Sequence, residues 1–237
     1  MADKKSDRLP ARSSDSDIQA FIAHVAKLSP RTAGAGKGRL IFALDATASR
    51  EPTWDRACDI QAEMFTETAA LGTLLVQLVY YRGFHEMSAS PFESDAGGLL
   101  KRMTGVRCLG GRTQIGRVLA HALAETARER VNALVFVGDA FEEPIEPVCD
   151  LAGQLGLSGV PVFMFHEGHD AVAGGAFRQI ATLSGGAYCR FDTASARILR
   201  DLLKAVAVFA VGGYRALEDY NRRAGRAVLS IGAPHRG

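Results

Sequence analysis

The chain has few cysteines and spaces them widely. No two of the four show the CxxC spacing, and they stand at Cys58, Cys108, Cys149 and Cys189. Zinc knuckles and small disulfide scaffolds both depend on closely spaced cysteines. The pattern argues against both, and free thiols in a reducing compartment are the simpler interpretation.

The sequence also has no excess of charge of either sign. It contains 28 Lys and Arg against 26 Asp and Glu, which gives a formal net charge of +2. Nucleic-acid-binding domains usually carry a dominant basic stripe, so we expect no nucleic-acid partner. A hydrophobic content of 47% and a charged content of 23% are typical of a soluble globular protein.

Long apolar runs are missing as well. The longest apolar stretch of the C-terminal part covers residues 205–211, far fewer than the ~20 residues that a membrane span needs. Residues 1–17 are polar and lack the apolar core of a secretory signal. We therefore expect a cytoplasmic protein with no membrane partner.

Apolar strand patterns and amphipathic helix patterns alternate through most of the chain. Strands are predicted at residues 39–44, 73–81, 87–92, 133–137, 160–165 and 187–191. Helices are predicted at residues 52–70, 99–103, 114–130, 144–155, 172–183 and 194–211. Pro91 restricts its strand to a sheet edge. This order predicts an α/β fold, a Rossmann-like three-layer αβα sandwich with a mainly parallel central sheet and one antiparallel edge strand.

The alternation predicts one domain at residues 38–211. Residues 1–37 are predicted as a disordered leader, a short amphipathic helix and a Gly/Ala linker. We expect that helix to pack against its own domain, with partner binding as the alternative. Residues 212–237 form a C-terminal extension whose arginines are either solvated or dock an acidic partner.

Oxygen-bearing side chains follow the first predicted strand at alternate positions. Asp45, Thr47 and Ser49 supply one carboxylate and two hydroxyls. Thr113 follows a glycine pair, and Asp139 follows the strand at residues 133–137. Ligands of parallel sheets bind beyond the C-terminal strand ends, so we expect these oxygens to suit a small hard cation there. The plainer alternative is that the carboxylates cap turns and the hydroxyls satisfy backbone donors.

Three motifs, in this order, resemble those of von Willebrand factor A (VWA) domains. Asp45-x-Thr47-x-Ser49 resembles the family's DxSxS motif, with Thr at the first Ser. The segment GGRTQIG at residues 110–116 resembles the loop that donates a Thr, and VFVGD at residues 135–139 resembles the strand that ends in the last metal-site Asp. The resemblance covers about residues 38–211.

The resemblance implies a metal-ion-dependent adhesion site (MIDAS) for Mg²⁺ or Mn²⁺. Its implied ligands are Asp45, Thr47, Ser49, Thr113 and Asp139. A partner's Asp or Glu would complete the coordination sphere, so the implied function is a protein-binding module without catalytic turnover. For bacterial members, the implied setting is an AAA+ ATPase or stress-linked complex.

Charged residues next to the motifs depart from the family pattern. Arg50 follows Ser49 and Arg112 precedes Thr113, where each can either repel a metal ion or hold an acidic ligand. Glu142 belongs to an acidic pair that either reinforces the site or begins the next helix. We interpret Arg50, Arg112 and Glu142 as a partner-binding rim.

The main enzymatic alternative is a haloacid-dehalogenase-like Mg²⁺-dependent phosphatase. Those enzymes also place an Asp after the first strand, in a DxDxT pattern whose second Asp is the general acid. Here Thr47 stands at that position, and a hydroxyl of this kind cannot deliver a proton to a leaving group. We therefore expect no enzymatic activity.

Metal-capable side chains also concentrate at residues 166–170, with the sequence HEGHD. The histidine pair at His166 and His169 suggests zinc, but the HExxH spacing is absent. We predict a solvated loop, because loops collect such residues.

Overall fold

The computed structural model describes residues 38–52, 54, 74–191, 206 and 210. The predicted leader at residues 1–37 and the extension at residues 212–237 lie outside these residues. So do most of the helices predicted at residues 52–70 and 194–211. The domain boundaries predicted at either end of residues 38–211 therefore stay predictions.

The described strands form one six-stranded sheet in the order β3-β2-β1-β4-β5-β6. Neighbouring strands are parallel except at the edge, where β3 runs antiparallel to β2. This confirms the predicted sheet. The strands are β1 (Gly38–Asp45), β2 (Leu74–Arg82), β3 (Glu86–Ala89), β4 (Ala133–Gly138), β5 (Val162–Glu167) and β6 (Tyr188–Phe191).

Among the described residues, helices lie between β3 and β4, between β4 and β5, and between β5 and β6. The described helices are α1 (Ala96–Thr104), α2 (Ile115–Arg128), α3 (Ile145–Leu157) and α4 (Ala171–Ser184). Gly156 lies inside α3, although the sequence places it beyond the helix end. A Cβ at Gly156 would lie 2.5 Å from the Leu183 carbonyl oxygen, so this glycine permits close packing against α4 instead of ending the helix. No helix among the described residues is long and apolar enough to cross a membrane.

Both faces of the central strand β1 are buried. Ile41 and Ala43 belong to the core that also includes residues of α2, α3 and α4. Leu40, Phe42 and Leu44 point to the opposite face, since side chains alternate along a strand, and they are equally buried. Burial on both faces is the three-layer αβα arrangement, and it explains why β1 is apolar at five consecutive positions, 40–44.

Candidate metal-binding site

Asp45 ends β1 and is fully buried at the C-terminal edge of the sheet. Its Oδ1 accepts a hydrogen bond from the Thr47 N–H at 2.8 Å, and its Oδ2 accepts one from the Tyr81 hydroxyl at 2.9 Å. Burial raises the pKa of the Asp45 carboxyl, the bonds from Thr47 and Tyr81 lower it, and the charge of Asp139 raises it further. The net rise means that the site disfavours the ionised carboxylate, which a bound cation would stabilise.

The two hydroxyls of the first motif face each other. Thr47 Oγ1 lies 3.1 Å from Ser49 Oγ, because the Asp45–Thr47 hydrogen bond starts a turn that continues as a 3-10 helix at Ala48–Arg50. Thr47 is buried and Ser49 is exposed. The hydroxyl pair therefore reaches from the buried carboxylate to solvent.

Asp139 follows β4 and lies beside Asp45. The strands β1 and β4 are paired so that Leu44 is opposite Val137, and a Cβ on Gly138 would lie 3.3 Å from the Asp45 Cβ. The Oδ1 atom of Asp139 is buried and has no hydrogen-bond partner among the described residues. A buried carboxylate oxygen without a partner is costly, and a cation is a partner that would satisfy it.

Thr113 is brought to this edge by contacts at both ends of its loop. Its N–H donates to the Glu142 Oε2 at 3.2 Å, and its Oγ1 accepts from the Glu142 N–H at 2.9 Å. At the other end of the loop, the Leu109 N–H donates to the Ala46 carbonyl at 3.1 Å. The loop thus joins the segment after β1 to the segment after β4. The Thr113 hydroxyl oxygen keeps a second lone pair for a metal ion.

The acidic pair after Asp139 holds this loop and the start of α2. Glu143 accepts hydrogen bonds from the Ile115 N–H at 2.6 Å and the Gly116 N–H at 2.9 Å, where a carboxylate also complements the helix dipole. Neither glutamate begins the next helix, since α3 starts at Ile145. The sequence left open whether the acidic pair reinforces the site, and it could not identify the contacts of Glu143, because the partners of this residue lie 28 and 27 residues away.

The five predicted ligands thus come from three segments that meet at one edge of the sheet. They offer two carboxylates and three hydroxyls, which is a donor set suited to Mg²⁺ or Mn²⁺. No group of three or more His, Cys, Asp or Glu that could hold a metal occurs among residues 38–52, 54 and 74–191, so metal binding at this edge would depend on the hydroxyl oxygens as well as on the two carboxylates. The residues therefore fit a hard divalent cation.

Comparison with solved structures identifies the fold. The SpRpn10 VWA domain is 18% identical, with a TM-score of 0.56 over 70% of this chain and 94% of that one. An aerotolerance-related membrane protein from Bacteroides fragilis is 16% identical, with a TM-score of 0.54 over 70% and 98%. The chain has a VWA-like fold. No protein-family model and no curated protein sequence matches it.

A third similar structure bears on the metal. Proximal thread matrix protein 1 from the mussel byssus, with a zinc-occupied MIDAS motif, is 17% identical. Its TM-score is 0.55, over 73% of this chain and 46% of that one. A VWA-like fold can therefore hold a divalent cation at a MIDAS motif.

Arg50 of this VWA-like domain lies inside the protein and not on the rim. Its side chain is 1% exposed and forms an ion pair with Glu167, whose side chain is 12% exposed. Glu167 ends β5, and β4 lies between β1 and β5. The pair therefore links the strand ends on either side of Asp139. By contrast, Arg112 and Glu142 are exposed.

Cys108 is a further residue near the site that the sequence did not single out. Its half-buried thiol interacts electrostatically with Arg50, Asp45 and Asp139. Burial raises the pKa of this thiol to about 11, which Arg50 partly opposes. The thiol is therefore neutral at physiological pH in the metal-free protein.

The segment at residues 166–170 is not a solvated loop at its start. β5 continues through Glu167, and His166 is 1% exposed with its Nδ1 3.0 Å from the Tyr188 hydroxyl. His169 is exposed, and Asp170 caps α4 by accepting from the Ala173 N–H at 2.7 Å. This segment forms no group of three or more His, Cys, Asp or Glu that could hold a metal ion among the described residues. The loop prediction was wrong for His166 and Glu167, because β5 extends two residues beyond the apolar run.

We expect His166 to make the protein less stable in mild acid. Burial lowers its pKa to about 4, Arg190 and Arg178 add to this effect, and Asp170 opposes it. The folded state thus binds fewer protons than the unfolded state between about pH 4 and about pH 6.5. The free energy of unfolding should fall as the pH drops through this window, by at most about 1.4 kcal/mol per pH unit.

Urea unfolding of wild type and His166→Gln across this window checks the expectation. The variant should lose part of the pH dependence, whereas His169→Gln, at an exposed histidine, should retain all of it. Equal slopes for wild type and His166→Gln would contradict the assignment.

Proposed function

We propose that this protein is a metal-dependent protein-binding module that captures an acidic side chain of its partner. The proposed ion is Mg²⁺ or Mn²⁺, held by Asp45, Thr47, Ser49, Thr113 and Asp139. The observation that carries the proposal is the buried Asp139 Oδ1, which lacks a hydrogen-bond partner among the described residues. The charge of the same carboxylate adds to the effect of burial in raising the pKa of Asp45.

The donor set explains how such a site would bind without chemistry. Two carboxylates balance the charge of a divalent ion, and three neutral hydroxyls add oxygen atoms without adding charge. Mg²⁺ takes six oxygens and keeps waters readily, so an incoming carboxylate can replace a water. Ser49 is exposed, which leaves the metal accessible from that side.

The proposal extends to the setting of the module. We propose a cytoplasmic protein without catalytic turnover, whose partner presents Asp or Glu within an AAA+ ATPase or stress-linked complex. The VWA-like neighbours support a protein-interaction module in general. Thr47, in place of a second acid, disfavours the phosphatase alternative.

We expect Thr113→Val to weaken Mg²⁺ and Mn²⁺ binding by about tenfold or more. Valine keeps the shape of threonine but removes the hydroxyl oxygen that would bind the ion. Thr126→Val is a matched control, because the Thr126 hydroxyl donates to the Ala122 carbonyl within α2 and lies in no proposed ligand set. Calorimetric titration measures the affinities. The absence of binding heat for wild type with either ion would contradict the proposal.

Partner capture is tested by affinity pull-down with wild type and Asp45→Ala, each with and without a chelator. The proposed function predicts partner recovery only with wild type in the presence of metal. Hydrolysis of a generic aryl phosphate by wild type with Mg²⁺, and not by Asp45→Ala, would favour the phosphatase instead.

A further inference from the structure

Two large apolar side chains are exposed beside the candidate metal site. Phe84, in the turn between β2 and β3, is 62% exposed, and Leu109, in the loop that leads to Thr113, is 52% exposed. Their loops touch, because a Cβ on Gly83 would lie 3.2 Å from the Leu109 Cδ2. Single exposed apolar residues are ordinary, but an apolar patch next to a binding site indicates a contact surface.

The backbone fixes these two loops against each other. The Gly83 N–H donates to the Leu109 carbonyl at 3.2 Å, and the Gly83 carbonyl accepts from the Arg112 N–H at 3.2 Å. The buried Gln114 side chain also donates to the Gly83 carbonyl at 3.2 Å. A Cβ on Gly111 would lie 1.9 Å from that same oxygen, so only glycine permits this approach. The patch is therefore pre-ordered, which lowers the entropic cost of binding.

The patch is continuous with the metal site. The Leu109 N–H donates to the Ala46 carbonyl at 3.1 Å, and Ala46 lies between Asp45 and Thr47 of the first motif. Thr113 ends the same loop. A partner whose carboxylate reached the ion would therefore lie next to Phe84 and Leu109.

Two arginines give this surface a positive charge. Arg107 and Arg112 are exposed, and within the described part of the chain neither side chain donates a hydrogen bond or forms an ion pair. Arg82 differs, since it pairs with Glu86 at 2.7 Å. Arg117 donates to the His85 carbonyl at 2.8 Å. Arginines that form no salt bridge within the described part of the chain can pair with the acidic groups of a partner.

We propose that Phe84, Leu109, Arg107 and Arg112 form a docking surface for an acidic protein segment. An apolar side chain of the segment packs on Phe84 and Leu109, next to the carboxylate that reaches the ion. A second acid of the segment faces Arg107 and Arg112. This inference rests on the proposed function, because both use the same carboxylate.

Selection of random phage-displayed peptides on the immobilised full chain tests the proposal. Binding is carried out with Mn²⁺, and bound phage are eluted at low pH, so that recovery does not itself require metal-dependent binding. We expect enrichment of peptides in which Asp or Glu lies beside Phe, Trp, Tyr or Leu. Enrichment of peptides without acids, enrichment of peptides without apolar residues, or no enrichment would overturn the docking surface.

The most enriched peptide, synthesised with a fluorescent label, then serves as the probe for variants. Phe84→Ser combined with Leu109→Ser should weaken its binding by about tenfold or more, and so should Arg107→Glu combined with Arg112→Glu. The controls are Leu157→Ser and Arg130→Glu, which change exposed residues at or just beyond the C-terminal ends of α3 and α2. Both controls should bind like wild type.

The outcomes separate this inference from the proposed function. Peptide binding that is lost with chelator and in Asp45→Ala, but kept in both double variants of the docking surface, overturns the docking surface alone. Binding that is lost in the patch variants but survives chelator overturns the metal-dependent function. A different outcome is that wild type binds phosphatidylserine vesicles, or self-associates in sedimentation, while the double variants do not. Vesicle binding of this kind would identify a membrane as the occupant of the surface, self-association would identify a second copy of the chain, and either result would overturn the acidic protein segment.

Discussion

Asp45→Asn is expected to stabilise the metal-free protein and to abolish its stabilisation by Mg²⁺. The Asp45 carboxylate is fully buried, and both burial and the nearby Asp139 charge raise its pKa. Asparagine has nearly the same shape and still accepts the Thr47 N–H through its oxygen, while its amide can donate to the Tyr81 hydroxyl. It removes the charge that the metal-free site disfavours and the metal requires.

The sign of the pH dependence follows from the raised pKa. The folded protein holds a proton on Asp45 at pH values where the unfolded chain has lost it, so ionisation costs folding stability. This cost grows as the pH rises from 3.8, the pKa of the carboxyl in the unfolded chain, through its higher pKa in the folded protein. Above the folded pKa the cost is complete. The advantage of Asp45→Asn should therefore be largest near neutral pH and vanish in acid.

Thermal unfolding with chelator and with Mg²⁺ measures both effects. Each kcal/mol gained raises the Tm by roughly 2–4 °C in a domain of this size. Asp150→Asn, at an exposed position on α3, should change neither the Tm in chelator nor the shift with Mg²⁺. A lower Tm for Asp45→Asn in chelator would contradict the electrostatic argument, and a retained Mg²⁺ shift would contradict the ligand assignment.

Arg50→Met is expected to lower the free energy of unfolding by about 3–5 kcal/mol. The variant leaves the Glu167 carboxylate, which is 12% exposed, without the guanidinium that it pairs with in wild type. Methionine keeps much of the apolar stem of arginine, so the loss reports mainly the charge. The expected cost is large because one partner of a buried pair is removed alone.

A double-mutant cycle separates the pair from its surroundings. Arg50→Met combined with Glu167→Leu should recover much of the loss, since no unpaired charge is left behind. Arg128→Met is the control, because the Arg128–Glu125 pair is exposed at Arg128 (78%) and surface pairs contribute about 0–1 kcal/mol. Equal losses for Arg50→Met and Arg128→Met in urea unfolding would show that burial of the pair does not matter.

The strands and most of the described helices could be predicted from local patterns. β1 is apolar at five consecutive positions, 40–44, because both of its faces are covered. Pro91 correctly marked the neighbouring strand as an edge, and β3 ends at Ala89 before it. Gly156 was misread as a helix end, because close approach to α4 cannot be read from the helix alone.

The candidate ligands were also visible in the sequence, since each follows an apolar strand or a glycine pair. The contacts that hold these ligands in place could not be predicted from the sequence. The Glu142 contacts to Thr113 span 29 residues, and no local sequence pattern predicts a contact between residues at that separation. Arg50 was predicted on the rim because it follows the candidate ligand Ser49 in the sequence, but the order of strands places Glu167 within its reach.

By itself, therefore, the sequence determined the alternation of strands and helices and the placing of oxygen donors after the strands. These follow from hydrophobic periodicity and chain direction, which are local properties. Only the tertiary structure decided that Arg50 is buried against Glu167, that His166 is a core residue, and that Phe84 and Leu109 share one surface. These depend on which strands and loops become neighbours, and that is set by packing between segments far apart in the chain.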